Sequence, residues 1–302
     1  MQQINMRPAS IILVLLGLAL ISALVFGLLG AYLAHLIYPH LGLTDMQNMS
    51  LEMTKDKKHF MMIVQNVSSI GGFFLPIVII SRIFEGATLP ALLPIKKVKP
   101  ILLLASVPFL FLGIQVLISL LHNLNQLIPF SDAIMQREAA NLKIQELFIN
   151  GNSSFDLVIS LLVVALLPAI VEEVFFRGAL QQLFLKTSNN MHVAVLVQAI
   201  LFALIHFNAT QILPIMVIGL MFGYMAVYSG NLIYGMIVHF LNNAGAVILM
   251  FYKDKTVWAK YLDTEDNLSL PQYAIGMVLL LIGVYLFFMM GSKNANKNVQ
   301  YS

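Results

Sequence analysis

Two adjacent carboxylates interrupt an apolar run. Of the fourteen acidic residues in the chain, Glu172 and Glu173 alone lie deep in hydrophobic sequence, while the others sit in loops or at the ends of apolar runs. An acid near the middle of a bilayer costs at least ~2.5 to 3.5 kcal/mol on insertion scales, so a carboxylate retained there is a functional hypothesis from the outset. Successive helical residues differ by about 100°, which predicts that the two carboxylates face different ways. Arg177 follows Glu173 at i+4, in the favourable order for an ion pair. That pairing leaves Glu172 free, one turn after Pro168. Taken alone, Glu173 with Arg177 reads equally well as a structural ion pair.

Two histidines also interrupt apolar sequence, His206 and His239, with Asn243 one turn beyond the second and on the same helix face. Glu172 and His206 are symmetric about the Ser188-Asn189-Asn190 segment, so a hairpin turning there carries both at similar depth. At 1.5 Å per residue His206 lies ~26 Å from that turn, and His239 lies ~14 Å from the turn at Gly230, so the two histidines match poorly in depth. A lone histidine in a membrane helix usually serves as an interhelical hydrogen-bonding group. Four polar intrusions in three apolar segments are a different case, because each needs a partner and together they supply one another. His35, His40, His59, His122 and His192 fall in loops or at the ends of runs and read as structural. Gly219 and Gly223 fit a small-xxx-small helix contact and carry no chemistry in this reading.

The elements that must hold these residues follow from composition. The 302-residue chain is 59% apolar and 10% charged, with mean hydropathy +0.86, against roughly 45 to 50% and about 25% in soluble domains. Apolar runs at Ser10–Tyr38, Phe60–Phe84, Ile101–Leu121, Phe155–Lys186, Met191–Phe207, Gln211–Tyr228, Leu232–Tyr252 and Tyr273–Met290 approach the roughly 20 residues that a bilayer core requires. The fold class is all-α: a polytopic membrane bundle of about eight helices. One integral membrane domain fills residues 1–302, with a motif-bearing core at about 155–252 and a polar tail at 293–302; Ser131–Asn150 reads as an interfacial helix. The short connector bearing Lys96, Lys97 and Lys99 marks a cytoplasmic side, and both termini are expected there. A net charge of +3 without a basic stripe gives nucleic acid no footprint. Zero cysteines exclude disulfides, thiolate metal sites and cysteine nucleophiles.

The polar residues also fall into a recognisable pattern. EEVFFR at Glu172 to Arg177 is similar to an EExxxR motif, FALIH at Phe202 to His206 to FxxxH, and HFLNN from His239 through Asn243 to HxxxN. In order and spacing the chain resembles the CPBP family of intramembrane proteases, which includes the type II CAAX prenyl endopeptidases. The resemblance implies an eight-helix protease fold with a cavity open to the cytosol, and peptide-bond hydrolysis in which Glu172, His206, His239 and Asn243 are catalytic and Glu173, Arg177 and Phe202 support them. The chemistry suits the residues: Glu172 and His206 can activate a water, while His239 and Asn243 can donate hydrogen bonds to the developing oxyanion. A metal version stands beside it, with zinc held by Glu172, His206 and His239, although no HExxH is present. The expected substrate is a membrane-associated protein or peptide, its lipidation left open, and the expected setting is a bacterial cytoplasmic membrane. From another class, the same residues could relay protons in a transporter or channel; no repeat or matching pair of interrupted helices supports that. A catalytically idle scaffold fits the intact polar set least.

Overall fold

The structure is a computed structural model that describes residues 3–44, 54–97, 99–149, 151, 153–256 and 268–298. Its helices are α1 (Pro8–Ile37), α2 (Lys55–Ile83), α3 (Pro100–Asn125), α4 (Asp132–Ile149), α5 (Ser154–Ser188), α6 (Met191–Ile205), α7 (Ile212–Ser229), α8 (Leu232–Tyr252) and α9 (Leu270–Asn298). No β-strand occurs among the described residues, apart from one isolated bridge between Ile4 and Phe84. Each of the eight expected apolar runs forms a helix. Among the described residues seven helices are long and apolar enough to cross a membrane, and α6 is a shorter apolar helix of 15 residues. The interfacial segment forms α4, mostly exposed along its length. The end of the expected polar tail, 299–302, lies outside the described residues.

Polar residues at the turns start and stop these helices. Ser153 and Asp156 cap the start of α5 reciprocally, while the Asn190 and Asn231 side chains accept the first free N–H groups of α6 and α8. Asn189 and Gly230 end α5 and α7 in the left-handed conformation. The turns therefore fall where Ser188-Asn189-Asn190 and Ser229-Gly230-Asn231 predict them.

The core is divided among pairs of helices. α1 packs along α2, where a Cβ at Gly71 would meet the Phe26 ring and one at Gly72 would lie 2.9 Å from Ala23. α3 packs along α9, where a Cβ at Gly113 would come within 2.5 Å of the Leu280 backbone. Against the first pair and α8 packs α5, whose two π-helical stretches, Leu161–Leu166 and Glu173–Leu180, flank Pro168. Proline supplies no N–H to the ladder, and a wider π turn absorbs such a break. The second stretch begins at Glu173 and buries all eight of its residues.

Candidate active site

Along α5, Glu173, Arg177 and Gln181 recur every fourth residue, and each is 0% exposed. Arg177 Nη1 donates to Glu173 Oε1 at 2.8 Å, the pair expected from the i+4 spacing. The Arg177 guanidinium also lies 4.2 Å from the Phe202 ring centroid and 5.4 Å from that of Phe222, and its Nη2 reaches the Gly219 carbonyl at 3.4 Å. Gln181 Nε2 donates to the Gly223 carbonyl at 3.1 Å. Gly219 and Gly223 thus do more than permit helix contact: their carbonyls take up the buried polar row of α5. Nothing in a small-xxx-small spacing announces that second use.

The two carboxylates do not part as a regular α-helix predicts. His239, on α8, places Nδ1 3.1 Å from Glu173 Oε1 and Nε2 3.8 Å from Glu172 Oε2, so one imidazole faces both. A π turn holds more residues than an α turn, which narrows the angle between neighbours, and the π stretch starts at this pair. Gly235, one turn before His239, makes the arrangement possible, since a Cβ there would lie 2.8 Å from Glu173 Oε2. Glu173 is therefore shared between Arg177 and His239. A carboxylate only accepts, so His239 Nδ1 carries the proton toward Glu173 and Nε2 is the atom turned to Glu172.

Phe202 and His206 lie on the other wall. Phe202 packs edge-on against Phe176 at 5.1 Å, and its ring lies 4.6 Å from that of His206 and 6.2 Å from that of His239. The depth mismatch between the histidines is thus bridged by one aromatic ring. His206 caps α6 and is exposed, with Nδ1 2.7 Å from the Phe202 carbonyl. Because that carbonyl can only accept, Nδ1 is the protonated nitrogen and Nε2 is left bare to take a proton. No hydrogen bond or ion pair joins His206 to Glu172 among the described residues, so the hairpin symmetry brings them to one region without pairing them. Asn243 is half-buried one turn beyond His239; its Oδ1 accepts from Asn242 at 3.5 Å, and Asn242 in turn accepts from Gln115 on α3 at 2.9 Å.

A cavity of about 680 Å³ opens elsewhere, at the hairpin turns beside Lys96, Asn190 and His192, and includes none of these candidates. As for a metal, no group of three His, Asp or Glu side chains is placed to hold one among the described residues. His239 joins the two glutamates, and His206, engaged through Nδ1 by the Phe202 carbonyl, makes no hydrogen bond or ion pair with either among the described residues, so the donors as they stand do not fit a set of Glu172, His206 and His239.

No curated protein and no solved structure matches the chain. Residues 154–245 match the family model described as Type II CAAX prenyl endopeptidase Rce1-like. Every candidate from Glu172 to Asn243 falls within that segment, so the similarity to the Rce1-like type II CAAX prenyl endopeptidase family spans all of them.

Proposed function

We propose that the chain is an intramembrane endopeptidase acting on membrane-associated or lipidated proteins and peptides, with Glu172 as the proton acceptor for the attacking water. The observation that carries this reading is His239, held by Glu173 on one nitrogen and facing Glu172 with the other in the interior of the bundle. The family match supports a CAAX-type intramembrane protease in general terms. Glu172, assisted by the bare Nε2 of His206, takes a proton as water oxygen bonds to the scissile carbonyl carbon. The carbonyl π electrons move to oxygen, where His239 Nε2–H and the Asn243 amide donate hydrogen bonds. With Nδ1 donating to Glu173, donation from Nε2 requires a proton on both ring nitrogens of His239. Collapse of the tetrahedral intermediate breaks the C–N bond, and the proton held by Glu172 passes to the leaving nitrogen, giving one new carboxyl and one new amine. Arg177 takes no part at the reacting atoms, because it is buried against Glu173 and Phe202.

The test is Glu172→Gln. Membranes carrying the wild-type chain should contain new protein C-termini that membranes carrying the variant lack, with the two proteins at equal abundance. A variant that generates the same termini would remove Glu172 from the chemistry. Proton or solute flux in proteoliposomes, without cleavage of any lipidated peptide, would move the same residues into a transporter.

A further inference from the structure

His206 stands immediately before a strained turn. The last turn of α6 tightens, with His206 N–H donating to Ala203 and Phe207 N–H to Leu204, each three residues back. Phe207 then adopts φ +48°. A bulky residue in the left-handed region is an outlier that persists only when its surroundings over-determine it, and such residues cluster at functional sites.

Two residues supply the determination, and neither belongs to the segment 154–245. Asn125, at the end of α3 and 0% exposed, donates Nδ2–H to the Ala209 carbonyl at 3.0 Å and accepts from Leu213 N–H at 3.1 Å. Glu138, on α4 and 4% exposed, accepts the Ala209 N–H at 3.1 Å, so one polar group of the peptide unit on each side of Ala209 is held from outside the hairpin. Glu138 Oε2 is buried and makes no hydrogen bond among the described residues. Arg137, its neighbour, lies 5.7 Å over the Phe207 ring. His122 reaches Gln211 at 2.8 Å from the same side.

We propose that Asn125 and Glu138 are positioning residues for His206: they hold the strained turn that aims its Nε2 into the space faced by Glu172 and His239. This rests on the proteolytic reading above. Neither residue touches the reacting atoms. Their contribution is to keep the imidazole in register, and a misplacement of about 1 Å at such a group costs about 10²-fold in rate.

The experiment measures kcat and KM of the full-length protein in detergent, on a fluorogenic peptide ending in a prenylated Cys-aliphatic-aliphatic-X sequence. Amide hydrogen exchange of residues 207–211 is followed in parallel. Glu138→Leu should lower kcat about 10²-fold with KM within a few-fold, and should speed exchange in that segment. Glu138→Gln, whose side-chain carbonyl still accepts from Ala209 N–H, should recover both. Asn125→Asp loses the donor to Ala209 while keeping the acceptor for Leu213; it should reproduce the loss of kcat, and serves where Glu138→Leu fails to accumulate. Wild-type kcat in Glu138→Leu and Asn125→Asp, or a fall in kcat without faster exchange, overturns the proposal. Glu172→Gln in the same assay separates the two levels: cleavage by that variant overturns the proteolytic reading itself, whereas its inactivity beside fully active Glu138→Leu overturns only the clasp.

Discussion

Between α3 and α9, Gly113 lets two backbones come together: a Cβ there would lie 2.5 Å from the Leu280 backbone. Between α5 and α8, Gly235 does something else, since the atom nearest its missing Cβ is Glu173 Oε2, at 2.8 Å. The first contact is apolar on both sides and gains dispersion energy from close approach. The second admits a carboxylate to an interior that would otherwise reject it, and brings it within reach of His239 and Arg177. One residue type thus serves adhesion at the periphery and polar accommodation at the centre. Loss of the first should weaken the protein, and loss of the second should silence it.

The largest effect is expected where the central region loses a charge. Arg177→Ala strands a buried carboxylate, and breaking such a pair costs about 3 to 5 kcal/mol, so the melting temperature and the amount of protein in the membrane should both fall. Combining Glu173→Gln with Arg177→Met should return much of that stability without returning cleavage, because His239 loses the anion that holds its Nδ1. Full turnover in the double variant would break the comparison, for the central polar row would then be structural only. Gly235→Ala should be nearly as damaging to activity but milder in stability: the new methyl displaces Glu173, and kcat should fall about 10²-fold while the protein still purifies. Gly113→Ala is the peripheral counterpart, expected to cost about 1 to 3 kcal/mol by overpacking with kcat per folded molecule unchanged. Smallest of all is Gly17→Ala on α1, where nothing lies within 4 Å of the added methyl; the unfolding free energy should change by less than about 1 kcal/mol.

Sequence and structure agree most closely where information is local. Apolar runs locate eight of the nine helices named above, α4 being the exception, Ser188-Asn189-Asn190 and Ser229-Gly230-Asn231 locate two turns, and the i+4 spacing pairs Glu173 with Arg177. The disagreements have specific physical origins. A π turn is not encoded in any hydrophobic period, so the shared contact of Glu172 and Glu173 with His239 was invisible in a helix assumed to be regular. The run Met191–Phe207 overstates α6 because hydropathy counts Phe207 as apolar, whereas its backbone turns left-handed and the helix has already ended at Ile205. Asn125 and Glu138 meet Ala209 across 84 and 71 residues, and no spacing rule reaches that far. His122, read as structural, does hold the same loop through Gln211.

The brevity of α6 has a consequence for the lipid around it. Fifteen residues rise only ~22 Å, against a hydrocarbon thickness of ~30 Å. Neighbouring helices are long enough to span that thickness, so the mismatch is confined to one flank of the bundle. Lipids there must thin or tilt their chains toward the loop that follows His206, at a cost of fractions of a kcal/mol per Å. The bilayer surface is therefore expected to dip beside the candidate site, which would draw water and headgroups toward the exposed His206.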